Sequence, residues 1–223
     1  EPSATPLPSE TPVPTETLAP TLTPYAGAER IVFASNRGDD ADQLGLYLLD
    51  VETLEISPLP MDFEAVIYPK WSPDGNQILF SVPDVWNLYT IDADGTNLNQ
   101  LTDFRSNNAD WAPDGSQVVF QSDHQNEPED TPDAPDVHDY SPRWAPDGSR
   151  IMFISRSSGK DEIYTMNVDG SDRVQVSESG DPVVESVWSP DGSRMVIVYG
   201  GFGITDLYAM DIAGGSNVVP LPD

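Results

Sequence analysis

The sequence contains no cysteine, which excludes disulfide bonds and catalysis by a thiol. Basic residues are scarce as well, since 10 Lys and Arg stand against 38 Asp and Glu, for a formal net charge of −28. Such a field repels phosphate backbones and anionic lipid headgroups, so we expect no nucleic acid partner and no anionic membrane surface. No apolar run approaches the roughly 20 residues of a spanning helix, and we expect no integral membrane segment.

Motifs of nucleophilic catalysis and of phosphate binding are also missing. There is no Gly-x-Ser-x-Gly elbow, and the two histidines both lie in one acidic stretch. The glycine cluster at 200–203 lacks the lysine and the helix of a phosphate cradle, so we expect a flexible loop between two strands there. The sequence therefore predicts a protein that is not an enzyme and carries no cofactor.

What the chain does contain is a repeat built around Trp. Four copies of Trp, Ser or Ala, Pro, Asp and Gly are spaced 40, 33 and 44 residues apart, and each precedes an apolar run. Self-similarity at this period indicates an array of supersecondary units. The repeat residues are Trp71, Pro73, Asp74, Gly75, Trp111, Pro113, Asp114, Gly115, Trp144, Pro146, Asp147, Gly148, Trp188, Pro190, Asp191 and Gly192.

Each copy has the chemistry of a tight turn between two strands. Pro presets φ near −65°, Asp bonds the backbone that follows it, and Gly takes the positive φ that other residues resist. A β-branched and aromatic run such as Gln117–Phe120 comes next, so the unit predicts an antiparallel hairpin. We expect the four Trp to be structural anchors of a small core rather than an aromatic ligand platform.

A second pattern follows downstream of the turns. Segment 87–95, NLYTIDADG, matches 162–170 and 206–214, and more loosely 45–50. Each copy reads as a third strand that leads through a turn to a short fourth strand. Repeated four-stranded units of about 40 residues are the blades of a β-propeller, so we predict an all-β fold of antiparallel four-stranded blades.

The pattern predicts about five units. Unit one lacks its first strand, and unit three begins at Trp111 but degenerates after Ser122, whereas units two (roughly 65–102), four (139–178) and five (183–221) are complete. No sixth Trp strand is present. We therefore expect one of three arrangements: the N-terminal lead-in fills the gap, the ring is open or incomplete, or the chain is part of a longer one.

These motifs resemble the TolB-type propeller repeat, a bacterial relative of the WD repeat. Besides the Trp-x-Pro-Asp-Gly turns and the Tyr strands, segment 33–38, FASNRG, is similar to the Ser-Asn-Arg loop of that family. The resemblance covers roughly residues 30–221. It implies the fold but not the ligand, because such propellers serve many roles.

The acidic stretch between Asp123 and Asp139 occupies the place of the missing strands of unit three. It holds seven carboxylates and both histidines, which are metal-ligand types, but it matches no metal motif. We expect a solvated loop rather than a metal site or a docking loop for a basic partner. The candidate ligands for a divalent cation would be His124, Asp136 and His138.

Residues 1–24 have a different composition from the rest of the chain. This segment holds seven Pro and six Thr with no Lys or Arg, and it cannot bury enough apolar area to offset its ordering entropy. We expect a disordered stalk, extended over up to about 75 Å, or a plain linker, followed by one propeller domain over 25–223. Stalks of this kind are common on exported proteins.

The leading functional hypothesis is a non-catalytic, monomeric propeller, exported to the periplasm, the cell surface or the medium, that binds a protein or glycan partner. The alternative is the propeller part of a larger enzyme. Related repeats form the gating propeller of prolyl-oligopeptidase and dipeptidyl-peptidase relatives, and metal-dependent polysaccharide lyases use them too. A purely architectural module is the third possibility.

Overall fold

The computed structural model describes residues 30–37, 44–122, 138–178, 181–201, 204–212 and 218–221. They form strands throughout, and this part of the chain holds no helix of the length and apolarity needed to cross a membrane. The strands are β1 (Arg30–Ser35), β2 (Gly45–Asp50), β3 (Ile56–Leu59), β4 (Ile67–Trp71), β5 (Gln77–Val82), β6 (Asn87–Asp92), β7 (Asn99–Gln100), β8 (Ser106–Trp111), β9 (Val118–Ser122), β10 (Asp139–Trp144), β11 (Arg150–Ser155), β12 (Glu162–Asn167), β13 (Val174–Gln175), β14 (Val183–Trp188), β15 (Arg194–Gly201), β16 (Ile204–Asp211) and β17 (Val218–Pro220).

The sheets follow chain order and every strand pair in them is antiparallel. Three sheets have four strands, β4–β7, β10–β13 and β14–β17, and the others are β1–β3 and β8–β9. First strands of successive sheets contact one another, β1 with β4, β4 with β8 and β8 with β10, which places them at the centre of the array. The predicted all-β propeller is confirmed, and its ring is not fully closed. We call the five sheets blades 1 to 5.

The predicted units agree with these blades over the described residues. Blades 2, 4 and 5 have four strands, blade 1 has three, and blade 3 shows two. The proposed stalk, 1–24, lies outside the described residues, as do the positions 123–137 of the acidic stretch.

One expectation was wrong. The segment 200–203 was predicted to be a loop, yet β15 runs through Gly201, with Gly200 paired to Thr205 and Gly201 to Ile204. The hydrogen bonds that pair two strands come from the backbone, so a residue without a side chain can make them. The two glycines therefore continue the strand. Positions 202 and 203 lie outside the described residues.

The four repeat turns share one geometry. In each turn the Gly N–H donates to the carbonyl three residues earlier at 2.9 Å, and the Gly φ lies between 68 and 72°. In the turn of blade 4, Asp147 Oδ1 accepts from the backbone N–H of Ser149 at 2.9 Å and from its hydroxyl at 2.7 Å. The turn is therefore closed by both its backbone and its Asp side chain.

Neighbouring turns also contact each other. A Cβ placed on the turn Gly would lie 3.6–3.8 Å from the Cδ atom of the turn Pro in the preceding blade. These pairs are Gly115 with Pro73, Gly148 with Pro113, and Gly192 with Pro146. The turns thus form one continuous stack from blade 2 to blade 5.

The hydrophobic core lies between the blades rather than within them. Met152 and Ile154 of blade 4 pack against Met195 and Ile197 of blade 5, and all four are almost fully buried. Blade 2 packs on blade 1 and blade 3 on blade 2 in the same way. Because alternate residues of a strand point to opposite faces, each middle blade has two apolar faces to bury.

The four repeat Trp lie in these cores or against their margins. Trp144 is 9% exposed within the core between blades 3 and 4, whereas Trp71, Trp111 and Trp188 are partly buried. Their indole N–H groups are buried without a hydrogen-bond acceptor among the described atoms. Their contribution to the fold is therefore apolar contact.

No strand of the described residues covers the outer faces of the two end blades. On blade 5, Val187, Leu207 and Val219 share one face of the sheet and are 46%, 51% and 57% exposed. On blade 1, Ile31 is 52% exposed. These faces correspond to the ones that middle blades bury, which is the structural consequence of a ring that is not fully closed.

Replacing Trp144 by Ala should lower the free energy of unfolding by about 3–5 kcal/mol, because the indole is nearly buried between two blades and its removal leaves a cavity. Urea unfolding followed by circular dichroism measures the change. Trp86→Ala is the matched control, since Trp86 lies outside the repeat, partly exposed, with Arg105 stacked on its ring. Equal losses in the two variants would contradict the assignment.

The turn aspartates should make the fold sensitive to acid. Hydrogen bonds from the Ser189 hydroxyl and from Ser193 lower the pKa of Asp191 to about 2, and similar bonds lower the pKa values of Asp74, Asp114 and Asp147. A folded pKa below the unfolded value contributes stability that is complete above about pH 4 and is lost as the pH falls towards 2.

The double variant Ser189→Ala/Ser193→Ala keeps the carboxylate of Asp191 but removes the hydroxyls that bind it. Its stability should fall less steeply than that of the wild type between pH 4 and pH 2. Ser158→Ala is the control, because that hydroxyl donates to a backbone carbonyl. Urea midpoints across the pH range give the slopes, and identical slopes in wild type and double variant would refute the role of these bonds.

Candidate binding site on the inner strands

The inner strands of blades 2, 3 and 4 each contain a β-bulge just before the repeat Trp. Register with the second strand shifts between Ile67 and Lys70, between Asn107 and Asp110, and between Tyr140 and Arg143. The residue three places before each Trp takes a left-handed backbone conformation. These residues are Tyr68 (φ 54°), Asn108 (φ 50°) and Ser141 (φ 53°). Such conformations cost about 1–3 kcal/mol each for a residue other than Gly, and they cluster at functional sites.

An ion pair crosses from blade 2 to blade 3 directly beside these bulges. The ammonium of Lys70 lies 2.6 Å from Asp110 Oδ1, and the two side chains are 27% and 20% exposed. The other oxygen, Asp110 Oδ2, accepts from the backbone N–H of Trp144 at 3.0 Å. A single carboxylate thereby joins the inner strands β4, β8 and β10.

Asn108 makes a second connection between β8 and β10. Its amide nitrogen donates to the Ser141 hydroxyl at 2.9 Å, and its amide oxygen accepts from Arg143 Nη1 at 3.2 Å. Arg143 Nη1 also donates to the carbonyl of Pro142 at 2.8 Å. The guanidinium is therefore held in place by bonds at one of its nitrogens. We call Tyr68, Lys70, Asn108, Asp110, Ser141 and Arg143 the inner-strand cluster.

The cluster brings two cations together in a chain that has few. Burial lowers the pKa of Lys70, and the positive charge of Arg143 lowers it further, whereas Asp110 acts in the opposite direction. Glu185, on the inner strand of blade 5, adds a weaker negative charge. The described inner strands carry no histidine. The arrangement therefore offers hydrogen-bond donors, charged groups and an exposed Tyr side chain. These are groups that can bind a partner without a chemical reaction.

The residues that the sequence singled out lie elsewhere. The repeat turns are at the ends of the first hairpins, and only their Trp residues adjoin the inner-strand cluster. Of the candidate metal ligands, His124 and Asp136 lie outside the described residues, and His138 precedes β10, where its carbonyl accepts from the N–H of Arg156 at 3.1 Å.

The carboxylates near His138 are already paired. Asp139 binds Arg173 at 2.6 Å and Asp161 binds Arg156 at 2.8 Å. No group of three His, Cys, Asp or Glu that would suit a metal ion occurs in the part of the chain that the structure describes. The expectation that the acidic stretch is a solvated loop rather than a metal site therefore stays a prediction.

A cleft of about 840 Å³ lies on the outside, between blades 4 and 5. Glu162, 2% exposed, lies in its wall, and its Oε2 accepts from the Ser177 hydroxyl at 2.5 Å. That hydroxyl in turn accepts from the N–H of Ile163 at 2.8 Å. The buried carboxylate therefore secures the segment after the outer strand β13 to β12, which is a structural role.

Sequence reasoning missed the inner-strand cluster because it treated the run before each Trp as an ordinary alternating strand. The signal was present in the repeat itself. When the units are aligned on the Trp, they agree at the turn but differ at two positions before the Trp. The position directly before the Trp holds Lys70, Asp110 and Arg143, and the position three residues before it includes Tyr68 and Asn108. Positions that vary in chemistry within an otherwise regular repeat mark the surface on which function differs.

Comparison with known proteins agrees with this fold. Residues 134–219 match the family model of the TolB beta propeller domain. A search of curated proteins finds no match. The structure of TolB from Acinetobacter baumannii superposes with a TM-score of 0.69 at 20% identity, over 86% of this chain and 52% of that one.

Two further structures are more distant. A putative TolB from Agrobacterium tumefaciens has a TM-score of 0.47 at 20% identity, over 87% of this chain and 61% of that one. The dihydro-heme d1 dehydrogenase NirN in complex with DHE has a TM-score of 0.57 at 14% identity, over 87% and 43%. At these identities the likeness concerns the fold alone, and the chain spans about half the length of the structures it matches.

Removing only the Asp110 charge of the ion pair should destabilise the protein more than removing the Lys70 and Asp110 charges together. Asp110→Asn leaves the partly buried Lys70 beside Arg143 with only the weaker charge of Glu185 to offset it, and should lower the free energy of unfolding by about 1–2 kcal/mol. In the double variant Lys70→Met/Asp110→Asn the uncompensated ammonium is gone, so more than half of that loss should be recovered. Urea unfolding of Asp110→Asn, Lys70→Met and the double variant measures the coupling, and strictly additive losses would contradict the arrangement.

Proposed function

We propose that this chain, a TolB-like β-propeller repeat protein, is a non-catalytic scaffold that binds a protein or glycan partner through its inner-strand cluster. The observation that carries the proposal is the run of three left-handed, non-glycine residues at equivalent positions of adjacent inner strands. Backbone strain of this kind persists only where the surrounding structure maintains it. Three strained residues around one polar cluster favour a site used for recognition.

The chemistry of the cluster supports binding rather than turnover. Tyr68 is 54% exposed and supplies an aromatic contact surface on β4, and the charged and amide groups of the cluster are already oriented by hydrogen bonds. Tyrosine and arginine are enriched where proteins recognise partners, because they combine contact area with directional bonding. Groups held in place before binding lose little entropy when a partner arrives.

We place the protein outside the cytoplasm. The support is the Pro- and Thr-rich composition of residues 1–24, which is typical of stalks on exported proteins, together with the strongly acidic composition. A net charge of −28 favours approach by neutral or basic partners and disfavours polyanions at the distances over which salt does not screen the field.

Cross-linking followed by pull-down from the cell-envelope fraction tests the proposal. Tyr68→Ser should abolish or strongly reduce the partner band that the wild type retains, because it removes the exposed aromatic surface of the cluster. Leu54→Ser is the matched control, since Leu54 is also exposed (72%) and left-handed (φ 60°) but lies in the turn between β2 and β3. Equal retention by both variants, or turnover of peptide or oligosaccharide substrates by the wild type, would refute the proposal.

A further inference from the structure

Arg143 differs from the other well-placed arginines of this protein. Arg150, Arg156, Arg173 and Arg194 each pair with a carboxylate at 2.6–2.8 Å. Within the described residues Arg143 has no carboxylate in ion-pair distance, and its partners are the neutral oxygens of Asn108 and Pro142. In a chain with almost four acidic residues for each basic one, a half-buried arginine without a counter-ion is unexpected.

The geometry leaves the binding edge of this guanidinium available. Both of its hydrogen bonds use Nη1, so Nε and Nη2, the two donors that face a carboxylate side by side, have no acceptor among the described residues. Two anchoring bonds at Nη1 fix the plane of the group. A planar fork fixed in this way binds a carboxylate through two parallel bonds with little further ordering.

Ser141 supplies an additional donor on the same strand. Its oxygen accepts from the Asn108 amide, and no acceptor for its hydroxyl hydrogen lies among the described residues. Asn108 thus connects the two groups, since one end of its amide orients the serine and the other end orients the arginine. The left-handed conformations of Asn108 and Ser141 are part of this arrangement.

The carboxylate within the cluster, that of Asp110, is already engaged. Asp110 accepts from Lys70 with one oxygen and from the N–H of Trp144 with the other, so its charge is neutralised within the fold. The positive charge of Arg143 nevertheless acts on the Lys70 ammonium, since it lowers the pKa of Lys70 in addition to the larger effect of burial. A ligand carboxylate would therefore meet the charge of Arg143, unpaired within the described residues, with Glu185 contributing a weaker negative charge to the cluster.

We propose that Arg143 and Ser141 form a receptor for a single carboxylate carried by a neutral or basic protein segment that enters the centre of the propeller. The inference rests on the proposed binding function and names the chemistry of the partner. The net charge of −28 selects against polyuronates and other polyanions, so the carboxylate belongs to an Asp, a Glu or a chain terminus within an otherwise uncharged or basic segment.

A pair of short peptides blocked at both ends tests this on the full chain. One carries a single aspartate between two lysines, and the other has asparagine in its place. Side-chain NMR of the Arg143 Nε–H group follows the titration. The aspartate peptide should shift this resonance and bind about tenfold more tightly than the asparagine peptide, because charge-assisted bonds to arginine are the stronger ones.

Variants separate the arginine from general effects of charge. Arg143→Gln should abolish the preference for aspartate, and Arg143→Lys should keep a reduced preference because a lysine retains the charge but not the fork. Arg194→Gln, on an exposed arginine paired with Asp211, is the matched control and should keep the full preference. Melting temperatures of all variants show whether each is folded.

Three outcomes would overturn the inference: no shift of the Arg143 resonance at about 10 mM aspartate peptide, a preference that survives in Arg143→Gln, or binding of polygalacturonate through Arg143. These results are distinct from failure of the proposed function. If the Tyr68→Ser variant loses its envelope partner while the peptides are not discriminated, the binding role stands and the carboxylate receptor is wrong. If the peptides are discriminated and no partner is retained, the receptor stands and the scaffold role fails.

Discussion

Each blade of this propeller is a small antiparallel sheet that is apolar on both faces, and this constraint organises the rest of the structure. A sheet of this size is not stable alone, because it exposes on each face the side chains that would form a core. Burial comes only from the next blade, as where Met152 meets Met195. The consequence is an array whose middle blades are well buried and whose end blades leave side chains such as Ile31 and Leu207 exposed.

The repeated turns and the inner strands divide two tasks between them. At one end of each hairpin, a left-handed Gly and an oriented Asp close the turn, and the turn Pro contacts the Gly of the next blade. At the centre, the same left-handed conformation occurs at Tyr68, Asn108 and Ser141, and of these only Asn108 is of a residue type that adopts it readily. In the repeat turns the left-handed conformation falls on Gly, which adopts it easily. The inner strands maintain it beside hydrogen bonds and an ion pair between blades.

The sequence predicted the fold because turn chemistry and strand patterning are local. Trp-x-Pro-Asp-Gly specifies a hairpin wherever it occurs, and the Tyr strand that follows specifies the third strand, so five units could be counted directly. The strand through Gly200 and Gly201 was not predicted, because pairing with β16 overrides the weak propensity of glycine. The inner-strand cluster was not predicted either. A β-bulge changes which side chains share a face, and contacts such as Asn108 with Ser141 join residues of different blades.

The central claim is that the propeller binds its partner at the inner strands of blades 2 to 4. Hydrogen–deuterium exchange of the full chain, with and without the partner isolated from the cell envelope, tests it most directly. The account predicts that the partner slows exchange at 67–71, 106–111 and 139–144 and leaves the outer strands unchanged. Protection confined to the cleft between blades 4 and 5, at 174–177 and 210–212, would contradict it.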